Sequence, residues 1–139
     1  MRTEIHGYKS IAEHTTERRR LAQADRKMLT RQQAKEVIHS IAPNLEVTFR
    51  TGQYGKGFYR NPRKGYPNGH IHFTIPKTTG RISLGIVLHE LAHHIHWVND
   101  KQVREAKSTA DRRKHWHGPG FVEVLDNLVW GWYLPSEET

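Results

Sequence analysis

Two periodicities divide the chain. In HIHFTIP, Ile71, Phe73 and Ile75 alternate with His70, His72 and Thr74, which is the period-two pattern of a half-buried strand ending at Pro76. LEVTFR alternates in the same way at Leu45, Val47 and Phe49. From Ile82 to Val98 the period lengthens: Leu84, Leu88, Leu91, Ile95 and Val98 form a single stripe, so the most apolar and most central helix is expected there. Upstream, SIAE at Ser10 and TRQQ at Thr30 have the form of a capping box, in which the cap hydroxyl and the side chain three residues on satisfy free N–H groups. They predict helices over 11–28 and 31–42. The second buries Ala34, Val37, Ile38 and Ile41 and stops at Pro43; the first, with only Leu21, Ala24 and Met28 as an apolar stripe, is expected to be peripheral.

Between these elements the chain is rich in turn formers. TGQYGKGFYRNPRKGYPNG reads as turns with a short strand around Phe58 to Arg60. Residues 99–116 are highly charged and lack an apolar run, which predicts a loop with at most a short exposed helix. Gly118 and Pro119 then mark a helix start, and Phe121, Val122, Leu125 and Val129 give that last helix an apolar side. The division expected from this pattern is a basic helical extension over 1–29, a domain over 30–130 and an aromatic, then acidic tail over 131–139. The fold class is α+β: a small, mostly antiparallel sheet packed on the central helix with the other helices around it.

The central helix carries the chemistry. HELAHHIHW holds four histidines and one glutamate in nine residues. His89 and His93, four apart, stand one above the other on one helix face, where both imidazoles can converge on one ion. Glu90, beside the first, reaches a water on that ion more readily than the ion itself. This is the HExxH arrangement, in which zinc acidifies a water and the glutamate takes its proton. His96 lies about 7–8 Å along the axis from an ion held between His89 and His93, and His94 points off the face, so both are expected to be packed or rim histidines. The extended pattern HExxHxxGxxH is absent, because His96 and Asn99 occupy its glycine and last histidine slots.

With no cysteine in 139 residues, disulfides, thiolate zinc sites and cysteine nucleophiles are excluded, and a metal must be held by His, Asp or Glu. The third ligand must come from a later element, where Glu105, His115, His117, Glu123 and Asp126 are available. His117 stands just before the Gly118–Pro119 helix start, where a short backbone can bring its imidazole against a neighbouring helix. Glu123 would instead make a gluzincin-like site.

Net charge adds a second theme. The formal charge is +8, and nucleic acid is the commonest acidic partner of such a chain. The basic residues cluster at Arg18, Arg19 and Arg20; at Lys56, Arg60, Arg63 and Lys64; and at Arg112, Arg113 and Lys114. Tyr54, Tyr59 and Tyr66 interleave with the middle cluster, an arrangement suited to stacking on unpaired bases. No signal-peptide-like or membrane-spanning run is visible, so the expected place is intracellular, cytoplasmic or nucleoid-associated, as a monomer away from membranes.

HELAH followed downstream by HGPGF resembles the SprT-like (Spartan-type) zinc metallopeptidases, whose pattern is HExxH and then His-Gly-x-x-aromatic at the start of a following helix. The match covers roughly residues 30–130. The resemblance implies a zincin-like minimal metallopeptidase in which His89, His93 and His117 hold Zn2+, Glu90 is the catalytic base and Phe121 is a structural aromatic. It also implies a protein substrate, with DNA-associated proteins one class of it, while any DNA contact must come from the domain's own Lys and Arg. By the same resemblance HIHFTIP is the sheet edge that takes the substrate as an added strand, with His70 and His72 facing the cleft. Tyr59, Tyr66, His70, His72 and Arg113 are all open as the oxyanion-stabilising group. The competing expectations are a DNA- or protein-binding module with a structural or degenerate zinc site, and a regulatory peptidase independent of DNA.

Overall fold

In the computed structural model, residues 24–99 and 119–138 are described, and they form an α+β fold with two small sheets. Residues 24–26 are helical, followed by strand β1 (Met28–Leu29), helix α1 (Arg31–Ile41), and strands β2 (Glu46–Gly52), β3 (Lys56–Arg60), β4 (His70–Pro76) and β5 (Ile82–Ser83). Helix α2 (Leu84–Asn99) and helix α3 (Pro119–Glu138) complete the order. No helix among the described residues is long and apolar enough to cross a membrane.

Local signals account for most boundaries. The Thr30 hydroxyl accepts from the Gln33 backbone N–H at 3.2 Å, and the Gln33 side chain accepts from the Thr30 N–H at 3.0 Å. The expected capping box therefore starts α1. At α2 the cap is Ser83, whose hydroxyl accepts from the Ile86 N–H at 3.1 Å. The first helix, in contrast, stops before Met28, because Met28 and Leu29 pair antiparallel with Ser83 and Ile82. That end of the extension is not peripheral: Ala24 and Leu29 are buried in the core. The cap at Ser10 lies outside the described residues.

The three-stranded sheet departs from the mostly antiparallel arrangement that the sequence suggests. Its order is β2-β4-β3, with β2 parallel to β4 from Glu46↔His70 to Gly52↔Pro76 and β3 antiparallel to β4. Residues 53–55 carry the chain from β2 to β3 over the end of β4 instead of closing a hairpin. They must cross two strand spacings, about 9.5 Å, and they pass close to β4. A Cβ on Gly52 would meet the Thr74 methyl at 2.5 Å, and one on Gly55 would touch Pro76 at 3.5 Å. HIHFTIP is consequently the central strand and not an edge. Its alternation is the same in either position, since period two reports which face is buried and says nothing about what lies alongside.

One core fills the space between this sheet and the helices. It holds Ile71, Phe73 and Ile75 of β4 together with Leu84, Val87, Leu88 and Leu91 of α2, Ile38 of α1, and Phe121 and Leu125 of α3. Fully burying each large side chain contributes roughly 1.5–3 kcal/mol. The α2 stripe ends early, since Val98 is half exposed, as is Ile41 at the end of α1.

Candidate metal centre

Helix α2 sets His89, Glu90 and His93 against the inner face of β3 and the start of α3. The two imidazoles stand 4.9 Å apart between ring centroids at 81°, edge to face. Phe121, in the first turn of α3, supports both: it stacks on His93 at 4.4 Å and meets His89 edge-on at 5.1 Å. His93 is buried and His89 half-buried, so one ring is fixed by packing while the other borders the cleft.

Glu90 is the least expected burial in the core, at 7 % exposure. Desolvation pushes its carboxyl up to about 7, because a charged carboxylate loses its water there. A carboxyl poised near neutrality can both take and return a proton. Space for it comes from Gly57 on β3, where a Cβ would lie 2.9 Å from the Glu90 Cγ and 2.9 Å from the Phe73 ring. Gly57→Ala is expected to overpack this contact, lowering stability by about 1–3 kcal/mol and displacing the carboxylate. Thermal unfolding measures the first effect; an unchanged melting temperature would show that Gly57 does not set the position of Glu90.

A cleft of about 300 Å³ opens over these groups, lined by Gly55, Lys56 and Gly57 of the β3 side and by Gly85, Ile86, His89 and Glu90 of α2, with Asp25 at its rim. Gly85 lets the Asp25 carboxyl pack directly against the first turn of α2, leaving no room for a Cβ. A larger hollow, about 400 Å³, lies between Ile41, Leu45, Pro67 and Val98. It contains His94 but none of His89, Glu90 and His93, so chemistry and not size selects the smaller cleft.

The other two histidines of α2 are held in packed positions. His94 Nδ1 lies 2.9 Å from the Tyr59 hydroxyl, with the rings edge to face, and burial lowers its pKa. His96 is buried 6.2 Å from the Phe121 ring centroid. Both are packed, as the spacing predicts.

His70 and His72, expected in the substrate cleft, lie across the sheet from it. Gly57 and Phe73 are register partners facing α2, so Phe58, His72 and Thr48, one residue on, share the opposite face. The Thr48 hydroxyl bridges His70 Nε2 at 2.6 Å and His72 Nδ1 at 2.7 Å. Neither histidine can stabilise an oxyanion beside Glu90, nor can Tyr66, which stacks on His70 at 4.4 Å. Tyr59 is buried against His94 and is available neither for that task nor for stacking on bases.

Among the described residues no third His, Asp or Glu completes a metal-binding group with His89 and His93. Glu123 is exposed on α3. Glu105, His115 and His117 lie outside the described residues, as do Arg18, Arg19, Arg20, Arg112, Arg113 and Lys114. Of the basic residues singled out by sequence, Lys56, Arg60, Arg63 and Lys64 are described, and all are exposed. The donor set suits zinc: two neutral imidazoles on one helix face beside a buried carboxyl, with soft thiolates absent from the chain. Sequence reasoning had no signal for Gly57 or Asp25, whose proximity to Glu90 and Gly85 arises from chain segments far apart. Comparison with protein-family models, curated proteins and solved structures finds no match.

Proposed function

We propose that this chain is a zinc-dependent endopeptidase. The observation that carries the reading is the burial of Glu90 beside the paired His89 and His93 rings, in a cleft roofed by a sheet edge. A structural two- or three-histidine site has no use for a carboxyl desolvated to a pKa of about 7. In this reading His89, His93 and His117 hold the ion. Bound zinc supplies Lewis acidity, polarising a carbonyl and acidifying water.

The chain's own residues do the rest. Glu90 accepts a proton from the attacking water as its oxygen bonds to the peptide carbonyl carbon, then passes that proton to the amine as the C–N bond breaks. Phe121 keeps both imidazoles oriented. The substrate strand adds to β3 and not to β4, because β3 has a single sheet partner among the described residues and lies directly over Glu90. DNA-associated proteins remain one candidate class of substrate, consistent with the resemblance to SprT-like enzymes.

The test is metal content together with cleavage of an unfolded protein such as casein, before and after chelation and after zinc is returned. About one zinc per chain and cleavage that is lost and restored with it are expected. Cleavage indifferent to chelation, or no zinc retained at neutral pH, would leave a binding module in its place.

A further inference from the structure

Among the described residues β2 and β3 are the two outer strands of the three-stranded sheet, each with one strand partner. Both carry charge at positions four apart: Glu46 and Arg50 on β2, Lys56 and Arg60 on β3. An antiparallel second copy set about the middle residue brings position 46 opposite position 50, or position 56 opposite position 60. On β2 this opposes Glu46 to Arg50 at both ends, which is attractive; on β3 it opposes Lys56 to Arg60, which is repulsive. Only β2 is complementary to itself about its centre.

The backbone of β2 agrees with its charges. In a parallel pair alternate residues turn both N–H and C=O toward the partner strand. The Glu46 N–H donates to the Gly69 carbonyl at 3.2 Å, and the Gly52 carbonyl accepts from the Lys77 N–H at 3.0 Å, so Glu46, Thr48, Arg50 and Gly52 face β4. Val47, Phe49 and Thr51 turn their backbone groups to the open side. A second copy centred on Thr48 sets Val47 opposite Phe49, where an antiparallel pair exchanges two hydrogen bonds, and the symmetry gives this pair twice. The faces match as well. Phe49 is in register with Phe73 and stacks on it at 5.8 Å, which puts Val47 and Phe49 on the α2 side and Glu46, Thr48 and Arg50 on the other. Phe49 is only half-buried, and Val47 of the second copy would cover it. The devices that usually blunt an edge, namely proline, a bulge or an inward charge, are missing from β2: it runs seven residues in unbroken register with β4, without proline and with charge on the outer side alone.

We propose that β2 pairs antiparallel with β2 of a second copy of this chain about Thr48, joining two sheets into one of six strands in the order β3-β4-β2-β2-β4-β3. A contact of this isologous kind closes after two copies. It leaves β3 and the Glu90 cleft at the two outer ends, so a peptide strand and the second copy do not compete, and the pairing stands whether or not the chain is a peptidase. One strand pair is small beside the roughly 1,200–2,000 Å² of a stable complex, so the dimer is reversible and the monomer expected from the sequence is its dilute form.

The experiment is sedimentation equilibrium of the full chain over a concentration series from the micromolar to the millimolar range, at about 0.15 M salt, where a Debye length of about 8 Å screens the +8 charge of each copy. A monomer–dimer equilibrium is expected. Arg50→Glu and Glu46→Arg each set like charges opposite one another at both ends of the pairing and should weaken dimerisation about 10-fold or more. Glu46→Arg combined with Arg50→Glu restores opposite signs and should dimerise like the parent. An equal mixture of the two single variants should form the mixed dimer in preference to either homodimer, because only the mixed pairing opposes unlike charges. Lys64→Glu, at an exposed site in the loop after β3, changes the net charge as much as Arg50→Glu does and should leave the equilibrium unchanged. Amide exchange at Val47 and Phe49 should slow as concentration rises. The idea is overturned if the chain is monomeric throughout the series, if single variants that circular dichroism shows to be folded dimerise like the parent, if the double variant does not recover, if Lys64→Glu loses as much as Arg50→Glu, or if association runs on past two copies.

Discussion

Glu90→Gln is expected to retain zinc and fold while losing peptidase activity by a factor on the order of 10² or more, the scale of a positioned general base. The amide keeps the shape that fits against Gly57 and Phe73 but cannot accept the proton of the attacking water. A second consequence follows from burial. Desolvation raises the Glu90 carboxyl from 4.5 to about 7 in the folded chain, so the folded state holds this proton more tightly than the unfolded one. In metal-free protein, stability therefore falls as pH rises from the unfolded value through about 7, and stays lower above it. Glu90→Gln removes this slope: the metal-free variant should match the parent below about pH 4 and exceed it at pH 8. Zinc content, cleavage and urea unfolding at two pH values on one preparation report all three effects. Full activity in the variant would end the proposed mechanism, and loss of zinc would give Glu90 a structural part in the site.

His117→Ala is expected to weaken zinc retention by more than the roughly 10–100-fold that loss of an outer-shell partner costs, because in the proposed site it removes one of three ligands. His93→Ala should do the same and also open a gap against Phe121, on which His93 stacks. Glu123→Ala, at an exposed site on α3, should retain the metal, as should His94→Ala, which loses the 2.9 Å contact with Tyr59 and about 1 kcal/mol of stability. Competition against a zinc-binding dye ranks the four. Release of zinc by Glu123→Ala with retention by His117→Ala would replace the three-histidine set with a gluzincin-like one.

Much of this protein is legible in its sequence. Thr30 and Gln33 announced α1, the alternation of Ile71, Phe73 and Ile75 gave β4 its bounds and inner face, and the four-residue spacing of His89 and His93 put both rings on one side of α2. These are local relations, set by backbone periods of 2.0 and 3.6 residues, and a sequence records them directly. What lay beside each element was not recorded. Period two assigned His70 and His72 to the face opposite Ile71 and Phe73 but could not tell which face α2 covers relative to the cleft, and so they were expected beside Glu90 when they stand across the sheet.

The same limit hid the sheet order. Three residues between β2 and β3 look like a hairpin connection, and only the insertion of β4 between them makes the pairing mixed and moves one free edge to β3. The burial of Glu90 is likewise tertiary: its raised pKa comes from desolvation, and the strand residue packed closest over it, Gly57, is distant in sequence. Sequence by itself determined the chemistry available here, an HExxH helix in a cysteine-free basic chain, because side-chain identity and helical spacing are properties of the chain alone. Tertiary structure decided which groups share the cleft with Glu90 and which strands stand at the edges of the sheet, because strand order and packing depend on contacts between residues that no local period relates.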